Sequence, residues 1–377
     1  MHYLIIAGEA SGDLHASHLI KALKNCDAEA RFTILGGDKM AAEAGVRPAV
    51  HISEMAFMGF SEVLRNLGTV RRNMAIARKL IDVVKPDVFI PVDYPSFNLK
   101  IAAHAAERGV PVIYYISPKI WAWKQWRIRD IRRYVKRVMC ILPFEPTFYG
   151  ERGYTADYVG NPSVAEVDAD IAAAASRADF LKKYGLRDRP LIALMPGSRT
   201  GEIRNNLPVM RGASDAFPQY RPVIIAAPGM GDDIYRQYAG ENIPVLRPAN
   251  ATEVLVHCRG ALVTSGTATL ETALAAIPQV VCYRSNGSKL SYDVMKRVLS
   301  VDYVSLPNLI LGSEAVPEML LHLCTPAAVA DRLAPLLRAT SAEREAQLAA
   351  YARMREVLGT SDAAATAAQR IVETVRK

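Results

Sequence analysis

The stretch Pro190-Leu-Ile-Ala-Leu-Met-Pro-Gly-Ser-Arg-Thr-Gly-Glu202 joins an unbroken apolar run to a turn that carries two glycines and an arginine. A short, continuous apolar run between prolines reads as a strand buried on both faces, the kind found in parallel sheets covered by helices. In the turn, Gly197 and Gly201 permit close approach to the backbone, and the Arg199 guanidinium offers a fork of donors that matches phosphate oxygens. The turn has no P-loop lysine, so an anion there would rest on backbone N–H groups, Ser198 and Arg199. The plainer alternative is a strand-to-helix turn with a solvated arginine.

The same alternation extends in both directions. Strands are expected at 2–7, 31–35, 87–92, 110–116, 137–142 and 156–159, with helices at 13–24, 61–84, 96–107 and 121–136 between them. Further strands are expected at 221–226, 243–246, 261–264 and 279–283. The fold class is therefore α/β, with parallel sheets and helices on both faces. Val159-Gly-Asn-Pro-Ser163 breaks the pattern, which predicts one domain over 1–162 and a second over 163–339. The closing segment 340–377, rich in Ala, Glu and Arg, is expected to be a long helical segment. In such sheets ligands bind beyond the carboxyl ends of the strands, and two such domains would enclose a cleft.

The 377 residues suffice for two cores of about 150 residues each. Lys and Arg outnumber Asp and Glu by 46 to 38, a net charge of +8, which favours phosphates, nucleic acid or an anionic membrane as partners. The five cysteines, Cys26, Cys140, Cys258, Cys282 and Cys324, show no C-x-x-C pairing, which argues against a disulfide framework or a structural zinc and fits a reducing cytoplasm. The start reads as a strand rather than a signal peptide, and no 18-residue apolar stretch is present. Neither H-E-x-x-H nor G-x-S-x-G occurs, so zinc and serine-hydrolase chemistry are not expected. Asp168-Ala-Asp170 matches a metal-binding D-x-D, but it follows a linker rather than a strand and reads as a helix cap.

Other motifs fall at strand ends. Thr264-Ser-Gly-Thr-Ala-Thr-Leu-Glu271 places Ser265, Gly266 and Thr267 at the start of a helix that the Ser265 or Thr267 hydroxyl could cap, an anion-binding position, with Glu271 one turn in and able to accept from ribose hydroxyls. Gly8-Glu-Ala-Ser-Gly-Asp13 holds Glu9 and Ser11 after the first strand, with Ser11 or Asp13 as candidate helix caps. It is not a G-x-G-x-x-G fingerprint, so no nicotinamide or flavin site is expected. Pro91-Val-Asp-Tyr-Pro-Ser-Phe-Asn98 sets Asp93 at the end of the third strand, where a carboxylate is a candidate general base.

Two stretches suggest a lipid surface. From Lys119 to Arg137 eight side chains are basic and only Asp130 is acidic. At helical spacing Arg129, Arg132, Arg133, Lys136 and Arg137 share one face. Trp121, Trp123 and Trp126 lie just before, a combination suited to anionic headgroups or to nucleic acid. Met55, Phe57, Met58 and Phe60, followed by arginines, offer flexible apolar contact for acyl chains, although such a stripe also suits a helical core.

Taken with Met58-Gly-Phe-Ser-Glu-Val63, Ser117-Pro-Lys-Ile-Trp-Ala-Trp123, Leu142-Pro-Phe-Glu145 and Asp302-Tyr-Val-Ser-Leu-Pro-Asn308, these motifs make the chain resemble lipid-A-disaccharide synthase along nearly its whole length. The resemblance implies a GT-B architecture of two Rossmann-like domains, and an inverting, metal-independent glycosyltransferase without cofactor. Its expected substrates are UDP-2,3-diacylglucosamine and 2,3-diacylglucosamine 1-phosphate, its products the β-1,6 disaccharide 1-phosphate and UDP. It places the family's carboxylates on Asp93, the expected base, and Glu9, the second candidate, its phosphate-loop arginine on Arg199 and a donor-site asparagine on Asn308; with the two turns read above, the expected donor site is Gly197, Ser198, Arg199, Ser265, Gly266, Thr267, Glu271 and Asn308. With two amphiphilic substrates, the basic and apolar stretches become the expected acceptor and membrane surface, at Met55, Phe57, Met58, Phe60, Trp121, Trp123, Arg129, Arg132 and Arg133. The expected setting is the cytoplasmic face of the inner membrane, with no nucleic acid and with a homodimer by analogy. Three positions depart from the family pattern: Ser96, where an aspartate is usual, Asn161, where a histidine is common, and Leu321, where a glutamine is frequent. The alternatives are a GT-B-like UDP-sugar 2-epimerase and a non-catalytic binder of anionic membrane or nucleic acid.

Overall fold

A computed structural model describes residues 1–55, 67–284 and 302–376. It contains two compact units, one formed by residues 1–162 with 360–377, the other by 163–359. In the first, β1 (His2–Ala7), β2 (Arg31–Leu35), β3 (Val88–Val92), β4 (Ile113–Tyr115), β5 (Arg137–Cys140) and β6 (Ala156–Tyr158) form a parallel sheet ordered β2-β1-β3-β4-β5-β6. In the second, β7 (Leu191–Met195), β8 (Arg221–Ile225), β9 (Val245–Leu246), β10 (Cys258–Val263), β11 (Gln279–Tyr283) and β12 (Glu318–Leu320) form another, ordered β12-β11-β10-β7-β8-β9.

Both strand orders reverse direction once. In the first unit the chain steps from β1 outward to β2 and then returns to the other side of β1 as β3, with Tyr3 opposite Val88 and Ala7 opposite Val92. In the second it steps from β7 to β8 and β9, then returns beside β7 as β10. At such a point the connections leave on opposite faces and open a crevice at the strands' carboxyl ends. Gly8 and Asp93 follow the strands of one switch point, Pro196 and Thr264 those of the other.

Side-chain alternation explains the packing. Tyr3, Ile5 and Ala7 face one layer of helices, and Leu4 and Ile6 face the opposite layer with Phe97, Ile101 and Ile131. In the second unit Ile192 and Leu194 join Ile203, Leu207 and Met210 in one core.

The closing segment is helical as expected, in two pieces, Ala342–Leu358 and Ala363–Arg376, parted where Gly359 turns left-handed at φ 69°. The second of these packs Ala367, Ala368, Ile371 and Val372 into the first unit's core. Two expectations are corrected. The basic segment is shorter than 121–136. Lys124 is left-handed, a 3₁₀ turn covers Gln125–Arg127, and the α-helix is only Ile128–Tyr134. Lys136 and Arg137 therefore leave the supposed cationic face. Lys136 Nζ donates to the Thr374 carbonyl at 3.2 Å, and Arg137 donates to Thr374 Oγ1 at 3.1 Å and pairs with Asp157. Strand β12 was not expected, since its three residues show no apolar run and exist as a strand through pairing with β11. Among the described residues no helix is long and apolar enough to cross a membrane.

Candidate active site

The carboxyl end of β3 is bent sharply. Asp93 and Tyr94 both take left-handed backbone angles, φ 43° and 51°, which costs about 1–3 kcal/mol for each residue that is not glycine. Hydrogen bonds over-determine this turn. The Asp93 carbonyl accepts from Tyr114 Oη at 2.6 Å and Asn98 Nδ2 at 2.7 Å, and its N–H donates to the Tyr115 carbonyl at 3.2 Å. Tyr94 Oη donates to the Met55 carbonyl at 2.9 Å. The Tyr94 ring lies where a Cβ on Gly8 would stand, within 2.4–2.7 Å, so a glycine is required there. Burial pushes the Asp93 carboxyl above the ordinary carboxylate range, against the opposing pull of Lys119, the Tyr94 N–H and His15. A carboxyl so raised, beside a cation, suits proton uptake.

Glu9 occupies the cap position of the helix Ala10–Cys26 at the end of β1, and its charge adds to burial in raising the Tyr94 phenol. Ser11 is exposed. Asp13 does not cap its own helix. Its buried carboxylate accepts from the N–H groups of Gly37 at 2.6 Å, Lys39 at 3.1 Å and Met40 at 3.2 Å, and so caps the next helix, Asp38–Ala44.

Beside this turn, β4 is followed by Ile116, also left-handed at φ 60°, before Ser117. The turn that follows carries Lys119 and is held by Glu145, which is buried. Its carboxylate accepts from Ser117 Oγ at 2.5 Å, Trp121 Nε1 at 3.0 Å and the Leu142 N–H at 2.9 Å. Burial outweighs these three donors and pushes the carboxyl up to about 7. Neither Glu145 nor Lys119 stands out from the sequence beyond membership of a motif, because both act through contacts distant in the chain.

In the second unit the turn after β7 holds a carboxylate from its own segment. Gly197 is left-handed at φ 118°, and Ser198 and Arg199 are exposed at the start of the helix Thr200–Ser214. The Glu202 carboxylate lies in this turn, accepting from the Ser198 N–H at 3.0 Å and from Arg199 Nη1 at 2.8 Å. It stands 2.4 Å from the position a Gly197 Cβ would take, so glycine is needed for both backbone angle and space. Sequence spacing alone does not single out Glu202 as the partner of these donors.

The neighbouring turn after β10 differs from expectation in detail. The helix Thr267–Leu274 is capped by Gly266, at φ 142°, and not by a hydroxyl. Ser265 Oγ donates to the Val304 carbonyl at 2.8 Å, which ties this turn to the 302–308 segment. Gly266 and Thr267 are exposed, and Glu271 is partly buried one turn into the helix. Asn308 is fully buried. Its Nδ2 donates to the Val316 carbonyl and to Glu318 Oε1, each at 2.9 Å, while its Oδ1 accepts from the N–H groups of Ala315 and Val316. Glu318 in turn accepts from Ser305 Oγ at 2.6 Å and from the N–H groups of Val304 and Ser305. Asn308 thus braces the segment to which Ser265 bonds.

The lipid-surface residues divide. Met55 and Trp121 are buried, Trp121 against Phe144 in an edge-to-face contact. Trp123 and Trp126 are 50% and 64% exposed, and Arg129, Arg132 and Arg133 are exposed on the short helix. Phe57, Met58 and Phe60 lie outside the described residues. Of the three departures, Ser96 Oγ accepts from Arg127 at 2.7 Å, Asn161 donates to the Ile141 carbonyl at 2.9 Å, and Leu321 is a buried apolar residue. Asp168 does not cap a helix: it lies within Pro162–Ala172 and pairs with Arg355 at 2.8 Å.

Residues 3–371 match the family model described as lipid-A-disaccharide synthetase. A lipid-A-disaccharide synthase of Myxococcus xanthus is 40% identical over 98% of this chain and 96% of its own length. One from Geobacter metallireducens is 35% identical over 99% and 97%. Among solved structures, UDP-GlcNAc 2-epimerase from Neisseria meningitidis, bound to UDP-GlcNAc, superposes with a TM-score of 0.70 at 11% identity, covering all of both chains. A trehalose-6-phosphate synthase does so with 0.60 at 12%, covering 100% of this chain and 99% of its own. These distant likenesses establish the GT-B fold of paired Rossmann-like units and nothing of substrate. The full-length match at this level of identity establishes the family: the chain belongs to the lipid-A-disaccharide synthases.

Proposed function

We propose that the chain transfers a 2,3-diacylglucosamine unit from UDP to the 6-hydroxyl of 2,3-diacylglucosamine 1-phosphate, with inversion. The observation that carries this reading, beside family membership, is that the Gly197–Arg199 and Ser265–Thr267 turns leave the adjacent strands β7 and β10 at one switch point. There they can hold the two phosphates of a UDP-sugar. The acceptor oxygen attacks the anomeric carbon as the bond from that carbon to the diphosphate oxygen breaks, through an oxocarbenium-like transition state. The electron pair leaves with UDP, and the hydroxyl proton passes to Asp93, with Glu9 as second candidate base. One displacement turns the α linkage to β. Arg199 and the N–H groups of both turns stabilise the charge that grows on UDP. Before UDP can settle, the Glu202 carboxylate must give up Ser198 and Arg199 to it. Asn308 supports the donor site through the 302–318 segment rather than by direct contact.

Trp123, Trp126 and the arginines 129, 132 and 133 are suited to an anionic headgroup layer, which supports peripheral attachment at the cytoplasmic face of the inner membrane. The test is incubation with UDP-2,3-diacylglucosamine and 2,3-diacylglucosamine 1-phosphate, followed by mass analysis. A tetraacyl disaccharide monophosphate is expected, with UDP released only when acceptor is present. Release of UDP without acceptor, or epimerised sugar in place of disaccharide, would overturn the proposal in favour of the epimerase reading.

A further inference from the structure

One fully buried amide joins three strand ends of the second unit. Asn206 lies in the second turn of the helix Thr200–Ser214 and has no exposed surface. Its Nδ2 donates to Thr264 Oγ1 at 2.8 Å and to the Pro196 carbonyl at 3.3 Å, while its Oδ1 accepts from the Arg284 N–H at 2.7 Å. Pro196 directly precedes the Gly197–Arg199 turn, Thr264 directly precedes the Ser265–Thr267 turn, and Arg284 directly follows β11. Only a carboxamide supplies two donor protons and an acceptor from one short side chain, which is what these partners demand. The strands already set the spacing of Pro196 and Thr264 at their bases, since the Thr264 N–H donates to the Met195 carbonyl at 2.9 Å. Beyond that bond, the Asn206 amide bonds to the residues from which both anion-binding turns depart.

From this we infer that Asn206 is a positioning residue for the diphosphate: it fixes the two turns relative to each other so that one ligand meets both sets of donors. The inference rests on the UDP-sugar reading above. Asn206 touches no ligand itself. Its removal leaves the Arg284 N–H and the Thr264 hydroxyl without their buried partner and frees the turns to shift independently, and a displacement of about 1 Å costs on the order of a hundredfold in rate.

The test is calorimetric titration of UDP into the full chain carrying Asn206→Ala, Thr264→Val or, as control, Asn73→Ala. Thr264→Val keeps side-chain shape while removing one of the three ties. Asn73 is an equally buried amide in the first unit, bonded to the Glu54 carbonyl at 2.7 Å. UDP affinity is expected to fall at least tenfold in Asn206→Ala and about threefold in Thr264→Val, and to stay within twofold in the control. In steady-state assays KM for the UDP-sugar should rise while KM for the lipid acceptor stays within twofold, a split that general destabilisation does not produce. Affinity within twofold of the parent in Asn206→Ala, or an equal loss in the control, overturns the inference. Should Asn206→Ala fail to fold, unchanged affinity in Thr264→Val overturns it. A parent chain that binds no UDP refutes the donor-site reading itself, and this inference falls with it.

Discussion

Glu145 makes the stability of the first unit depend on pH in a way that can be calculated. Its carboxyl rises from an ordinary 4.5 to about 7 because it is buried. Below pH 4.5 it is protonated in both folded and unfolded chains and has no effect on the balance. Between 4.5 and 7 the unfolded chain releases the proton while the folded chain keeps it, so stability falls as pH rises. Above 7 both forms are ionised, and the loss is complete. At about 1.4 kcal/mol per pH unit the full change amounts to about 3 kcal/mol. Glu145→Gln has no proton to release. It forfeits one of the three donors bonded to the carboxylate, a pH-independent cost of about 1 kcal/mol. The variant should therefore be the less stable chain near pH 4.5 and gain about 3 kcal/mol on the parent by pH 8. All three tryptophans, Trp121, Trp123 and Trp126, lie in the first unit, so urea unfolding followed by tryptophan fluorescence reports on that unit alone. A stability difference between the two chains that stays constant within about 1 kcal/mol from pH 4.5 to 8 would refute the reasoning.

Asp93→Asn should lower kcat by about 10²–10⁴ while UDP affinity stays within twofold. In the parent enzyme, the acid limb of kcat/KM should lie above the ordinary carboxylate range, because burial raises this carboxyl; a rate within threefold of the parent would remove Asp93 as base. Gly197→Ala adds a Cβ at φ 118° and 2.4 Å from a Glu202 oxygen. With backbone strain of about 1–3 kcal/mol, UDP affinity should fall at least fivefold in calorimetry, and an unchanged value would show that this turn does not hold the diphosphate. Replacing both exposed indoles, Trp123→Ser with Trp126→Ser, should abolish flotation with anionic liposomes at low salt yet leave UDP affinity within twofold; undiminished flotation would place membrane contact elsewhere.

Much of the architecture could be read locally. Strands β1, β2 and β11 coincide end to end with the apolar, β-branched runs at 2–7, 31–35 and 279–283, because alternation and burial of a strand are properties of consecutive residues. The turns at Gly8, Asp93, Gly197 and Ser265 could be located for the same reason, since a glycine or a helix start after a strand is written within five or six residues. Helix length in the basic segment was overestimated because charge and apolar spacing continue past Tyr134. The left-handed Lys124 and the strand pairing of Arg137 end the helix on either side.

Composition and local periodicity thus decide that the chain is α/β, where its chain reversals fall, and which of its turns follow strands with a glycine or a helix start. They do not decide whom a polar side chain will meet. Glu145 bonds to Ser117 across 28 residues, Asn206 to Thr264 across 58 and to Arg284 across 78, and Arg137 to Thr374 across 237. Asn308 finds its partners in Ala315, Val316 and Glu318 of its own segment, and Asp13 caps a helix other than its own. Burial makes an unpaired polar group expensive, so each such residue takes its partner from whichever element packs against it. Only the assembly of sheets and helices brings that partner within reach.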